Sequence, residues 1–344
     1  MNQKITRWKH SYYMYVVVWI KYFTWKKFFN VLLNLFECKI KKIKIRSVPL
    51  IGNIELSNLC ILNCPLCPTG AKDKSQSKKI ITFEEFKALF DKFKDYIFDI
   101  KLFNWGEPFL CPDIFKIVDY CHKNKVGVRL HSNFNHYDEK MLEDIVKCQV
   151  DYLHLSIDGY SQEAYEYYRV GGDIAKVFYG LEKIQAYKRQ HKSKFPIIHW
   201  GYLINNRNRH EIKTAQDYAE KLKVEVFEAM DISLYTALDD TFKEENYQRF
   251  LSDVKAKSTC SSRTHHGYCK FLWLQNVINP DGSFCPCTLI YKNEDVFGSF
   301  NGPVDLKKVF NSEIFTESRK IFKYKNYQPK CFTPCSRCRS YEKP

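Results

Sequence analysis

The chain has 344 residues, 45% of them hydrophobic, a formal charge of +15 and fourteen cysteines. That length buries a substantial core and suits two domains better than one. No apolar core leads to a small-residue cleavage site and no nucleic-acid reader motif appears, so a secreted disulfide framework and nucleic-acid binding are set aside and a reducing, cytoplasmic setting is expected.

Residues 1–48 read as a basic, amphipathic, helical segment. Residues 1–46 carry eleven Lys or Arg against one acid, Glu37, within the aromatic run "YYMYVVVWIKYFTWKKFFNVLLNLF". The apolar stretch from Tyr12 to Ile20 is too short to span a bilayer. Peripheral membrane contact through residues 5–46, docking on an acidic partner, and a plain cap over the main domain all fit such a helix.

From residue 49 to 232, short β-like runs alternate with helical patterns. The runs are "GNIEL", "IKLFNW", "GVRLHSN", "YLHLSID", "IIHWGYLI" and "VEVFEAM"; between them lie stretches such as "FEEFKALFDKF" and "DEKMLEDIVKC" with apolar residues three or four apart. Alternation of this kind implies an α/β fold, a parallel sheet with crossover helices. Six units are too few for the eight-fold barrel, so a partial (β/α)6 TIM-like barrel is expected. Residues 233–262 read as a polar helical linker, and residues 263–344 as a Cys-rich domain holding six thiols.

In such folds chemistry gathers at the carboxyl ends of the strands. There the chain places Cys60, Cys64 and Cys67 in "CILNCPLC", Gly106 and Glu107 in "NWGEP", Ser132 and Asn133 in "HSN", Ser156 and Asp158 in "SIDG", and finally "NNRN". The C-x3-C-x2-C spacing serves either a structural metal clip or a cluster left one ligand short. Close Cys clusters in a reducing compartment are more often metal ligands than disulfides.

Taken together, "CILNCPLC", "NWGEP" and "SIDG…YYRVGG" resemble the radical S-adenosylmethionine (SAM) enzymes that carry a C-terminal SPASM or twitch-type auxiliary iron–sulfur domain, over residues 50 to 340. The resemblance implies a [4Fe–4S] cluster on Cys60, Cys64 and Cys67, with SAM on the open iron. It implies reductive cleavage to a 5′-deoxyadenosyl radical, and an electron donor such as flavodoxin or ferredoxin. It further implies that Glu107 and the adjoining Gly106 meet the SAM amino group, Ser132 and Asn133 the ribose, Ser156 a polar contact, and Arg169 the SAM carboxylate. Asp158 reads instead as a turn or cap residue. The chain departs from the family at Leu66, where an aromatic is common, and at Trp105, where the family carries glycine.

In the tail, Cys269 and Cys287 match the SPASM opening, with twelve residues before Gly282 and four after it. With Cys335 and Cys338 they imply one auxiliary [4Fe–4S] cluster, Cys331 and Cys285 being the substitutes and a four-thiol zinc site the alternative. Such a cluster can take an electron from a substrate radical, giving net oxidation. A thiol returning hydrogen would give epimerisation instead, and Cys111 sits nearest a strand end, whereas Cys121 and Cys148 fall at packed helical positions. A small polar, sugar-like or lipid-linked substrate is expected, with maturation of a ribosomally made peptide as the alternative.

Overall fold

The computed structural model describes residues 12–72, 78–232 and 269–338, and the linker expected at 233–262 lies outside them. Six parallel strands run in chain order: β1 (Ile51–Ile54), β2 (Asp99–Lys101), β3 (Gly127–Ser132), β4 (Tyr152–Ser156), β5 (Ile197–Ile204) and β6 (Val226–Asp231). Helices α2 (Phe83–Phe90), α3 (Ile114–Lys123), α4 (Glu139–Lys147), α5 (Ile174–Gln190) and α6 (Ile212–Lys221) make the crossovers, after an N-terminal helix α1 (Trp25–Lys39). The expected partial α/β barrel is what the chain forms.

Local chemistry starts these helices where the sequence places them. Thr82 and Glu85 form a reciprocal capping box at α2, and Asp138 and Asp173 cap α4 and α5 by accepting backbone N–H groups. The strands alternate. Val128, Leu130, Leu153, Leu155, Ile198 and Trp200 pack into the apolar core, while Arg129, His131, Tyr152, His154 and His199 line the barrel interior.

The Cys-rich tail joins this same sheet. Strand β7 (Gln275–Ile278) pairs parallel with β1, Ile51 opposite Gln275, and β8 (Ser283–Cys285) and β9 (Gly298–Ser299) follow antiparallel. The order is β6-β5-β4-β3-β2-β1-β7-β8-β9. The final helix, α7 (Glu313–Lys323), packs beside it and buries Arg319.

Residues 18–48 close the floor of the barrel, at the amino ends of the strands. Asn30 donates to the carbonyls of Val48 and Tyr96 (2.9 and 3.1 Å), and Asn34 to the carbonyl of Trp273 (2.9 Å). Asp151, just before β4, accepts from Lys21 and His122 (2.8 Å each), Tyr22 (2.9 Å) and the Val128 amide (2.8 Å). Among the described residues no helix is long and apolar enough to cross a membrane.

Candidate active site

The loop after β1 brings Cys60, Cys64 and Cys67 to one cavity of about 350 Å³ at the carboxyl ends of the strands. Each sulfur meets the connection that follows a different strand. Asn133 Nδ2 donates to Cys60 Sγ (3.4 Å), Arg169 Nη1 approaches Cys64 Sγ (3.9 Å), and Cys67 Sγ lies 3.8 Å from the Trp105 carbonyl. Burial pushes all three thiols up to about 11. No fourth thiol lines the cavity among the described residues. Three convergent thiols facing open space fit a cluster that keeps one iron free for another ligand, since such clusters ordinarily take four thiolates.

Close backbone approach holds this arrangement. Gly106 lies against the backbone after β1, where an added Cβ would stand 1.8 Å from the Ser57 carbonyl oxygen. Glu55, fully buried one residue beyond β1, accepts the Trp105 and Gly106 amides (2.6 and 2.7 Å) and is pushed up to about 7 by burial. Its side chain therefore ties the β2 end to the β1 end. Nothing in the sequence marked Glu55 beyond an acid inside an apolar run.

The other expected residues also converge on the cavity: Gly106, Glu107, Ser132, Asn133, Ser156 and Arg169 all line it. The Glu107 carboxylate is committed to the Ser132 hydroxyl (2.8 Å) and to the amides of Asn133 (2.9 Å) and Phe109 (3.2 Å), and burial lifts it to about 7. Ser132 Oγ also accepts the Phe134 amide (2.8 Å), so it closes a turn as well as facing the cavity. Asp158 is buried, and Arg169 Nε donates to it (2.6 Å) while its other oxygen accepts the Leu203 amide (2.7 Å). The residue read as a turn cap thus also aims Arg169.

Two features fall elsewhere. The "NNRN" side chains Asn205 and Asn208 bond within their own turn, and Asn208 also holds the Asp158 carbonyl (2.8 Å). Cys111 lies in the apolar core with its thiol toward the Ile81 carbonyl (3.5 Å), lining neither cavity, because the loop after β2 turns it inward.

A second cavity of about 450 Å³ adjoins the first through Phe103, Asn104, Trp105 and His131. It occupies the barrel interior, between Lys101, Arg129, His154, His199 and Glu228, and reaches Thr288 and Leu289 of the tail. In the tail, the buried Cys269 and Cys335 thiols lie near each other and near Cys338, Cys287 lies near Cys269, Cys335 and Cys285, and burial raises Cys269 to about 11. Cys331 instead faces Glu313 and Glu317, and Cys285 turns its thiol to the Cys287 carbonyl (3.2 Å). Cys38 of α1 also lies near Cys269, an approach the sequence did not announce.

A partial parallel barrel with three thiols at one mouth, fused to a thiol-rich tail, is the build of an iron–sulfur enzyme. The chain belongs to the radical SAM superfamily, whose model matches residues 54–240, and an iron–sulfur cluster-binding SPASM domain matches residues 269–339. Its cofactors are accordingly a [4Fe–4S] cluster with SAM, and iron–sulfur rather than zinc in the tail. The chain is 26% identical over 219 residues to an AdoMet-dependent heme synthase of Methanosarcina barkeri, covering 60% of each protein. It is 24% identical over 169 residues to an Fe-coproporphyrin III synthase of the same organism, covering 49% of this chain and 40% of that one. Among solved structures, anSMEcpe with bound AdoMet and a Kp18Cys peptide superposes with a TM-score of 0.58 at 17% identity, over 80% of this chain and 84% of that one. At that identity the likeness establishes the fold alone.

Proposed function

We propose that Cys60, Cys64 and Cys67 hold the SAM-binding cluster, and that Cys269, Cys287, Cys335 and Cys338 hold one auxiliary [4Fe–4S] cluster. The observation that carries the first assignment is the meeting of three thiols from one loop with the connections after three other strands, on one cavity wall. Bound there, the cofactors supply reductive cleavage of the sulfonium and hydrogen-atom abstraction. The protein's part is placement. Arg169, aimed by Asp158, receives the SAM carboxylate; the Gly106–Glu107 strand end receives its amino group; Ser132, Asn133 and Ser156 border the nucleoside. Tyr168, packed against Leu62 and Leu66 on the same wall, supplies the aromatic surface that Leu66 lacks.

The substrate occupies the interior cavity, and the reaction is its two-electron oxidation, with flavodoxin or ferredoxin as electron donor. A 450 Å³ chamber walled by Lys101, Arg129, three histidines and Glu228 suits a small, polar, sugar-like or lipid-linked molecule. The same cations would suit a carboxylated macrocycle of the class named by the curated relatives. Maturation of a ribosomally made peptide is the second reading, favoured by the peptide bound in a structural neighbour. Membrane contact through residues 5–46 does not decide among these.

Anaerobic reconstitution with a strong reductant tests the assignment. The intact chain is expected to release 5′-deoxyadenosine, and alanine at any one of Cys60, Cys64 or Cys67 to abolish it together with part of the broad visible absorption. Unchanged cleavage in those variants would remove the proposal.

A further inference from the structure

Helix α1 is inside out. Its buried side carries Lys27, Asn30, Asn34 and Glu37 beside Val31 and Cys38. Its outer side carries Trp25, Phe29, Leu32, Leu33, Phe36 and Ile40, with Trp25, Phe29 and Phe36 exposed at 67, 60 and 56%. The spacing of these six makes one continuous ridge along a helix. At its head the rings of Phe23, Trp25, Phe28 and Phe29 contact one another, extending the patch beyond the helix start.

This orientation is imposed by directional bonds. Asn30 and Asn34 donate to backbone carbonyls of the barrel floor. Glu37 accepts the amides of Arg46 and Ser47 (2.9 and 3.0 Å), the Ser47 hydroxyl (2.7 Å) and Lys42 (2.9 Å), and Lys27 donates to the Lys125 carbonyl. Turning the ridge inward would break all of these and bury polar groups without partners. The ridge is thus held outward by the fold, and a patch of this length on a protein surface marks a contact site.

Charge names the occupant. The segment exposes Lys39 on the helix and Lys44 and Arg46 just after it, Lys26 being paired with Asp95 (2.8 Å), and its one acid, Glu37, is buried. Apolar and aromatic side chains flanked by cations match the boundary between lipid headgroups and acyl chains when the headgroups are anionic. We infer that the outer face of α1 docks this protein on an anionic lipid surface, with the helix lying in the plane of the interface. This inference goes beyond the catalytic reading and is tested without turnover. It also sets an orientation. The ridge lies on the floor of the barrel, so the cluster loop at the opposite strand ends faces away from lipid.

The full-length chain is sedimented with vesicles of phosphatidylcholine alone and of phosphatidylcholine mixed with phosphatidylserine. Binding is expected to be about tenfold or more stronger to the mixed vesicles and to weaken with added salt. A variant carrying Trp25→Ser, Phe29→Ser and Phe36→Ser is expected to stay in the supernatant with an unchanged thermal transition. Lys39→Glu with Lys44→Glu, which keeps the ridge, is expected to lose the preference for anionic vesicles. The inference is overturned if the intact chain pellets with neither vesicle, if the serine variant pellets equally, or if neutral and anionic vesicles bind alike. It is also overturned if light scattering shows a dimer that the serine variant converts to monomer without vesicle binding, since a second copy would then cover the ridge.

Discussion

At the scale of single residues, the reception proposed for SAM rests on the pair Asp158–Arg169, joined at 2.6 Å. Burial lifts Asp158 above the ordinary carboxylate range, and its charge in turn keeps Arg169 protonated well above the usual value. Asp158→Asn keeps the size but removes the charge that aims the guanidinium. The expected result is a rise of about ten- to a hundredfold in the KM for SAM, by analogy with partners that orient metal ligands, with a smaller change in kcat and partial rescue by Asp158→Glu. Gly106→Ala acts differently. The added methyl meets the Ser57 carbonyl at 1.8 Å, so backbone must move and the Trp105 and Gly106 amides leave Glu55. The variant is expected to fold yet bind less iron at the first cluster, read by iron and sulfide content. That the thiols, Glu107 and Arg169 share one cavity was legible from their motifs, through the family resemblance those motifs carry. Asp158 was only partly legible, because a carboxylate there looks like turn chemistry until its partner arrives from a distant loop, and Glu55, inside an apolar run, was not legible at all.

At the scale of elements, the strands and crossover helices follow from periodicity and caps, which are local. The facing of α1 does not. An amphipathic pattern announces two faces, and normally the apolar one turns in. Here Asn30 and Asn34 find carbonyls that are present only once Val48, Tyr96 and Trp273 are in place, and Glu37 finds its amides in the turn at Arg46 and Ser47, so no rule within the helix exposes the inversion. Asp151 secures the same cap from the barrel side. Burial alone would raise its carboxyl, but His122 and Lys21 outweigh burial and hold it below the ordinary value of 3.8. A depressed folded value means the stabilisation is complete above 3.8 and is lost as pH falls through the folded value. Residues 18–48 are therefore expected to loosen from the floor only in acid below about pH 4, visible as faster amide exchange in α1. Asp151→Asn should cost about 3 kcal/mol at neutral pH, measured by urea unfolding, because Lys21 and His122 lose their shared acceptor.

At the scale of the molecule, the tail is welded to the barrel by a pairing that sequence could not show, since Ile51 and Gln275 are far apart in the chain yet adjacent in the sheet. Arg319 is the second weld. It is fully buried, and it donates to the carbonyls of Leu272 (3.0 Å), Phe310 (2.6 Å) and Ile43 (3.0 Å), joining the start of β7, the tail and the N-terminal cap. Burial pulls its guanidinium down to about 9, still charged at neutral pH. Arg319→Leu would preserve bulk but leave three carbonyls without donors, at a cost of about 3 kcal/mol or more in total. Because those carbonyls belong to three sections of chain, the loss should appear everywhere together. Visible absorption of the tail cluster and tryptophan fluorescence of the barrel are expected to fall in one coincident transition, shifted to lower urea in the variant. Two separated transitions in the intact chain would mean that the tail folds as an independent domain, and that neither the β1–β7 pairing nor Arg319 couples it to the site.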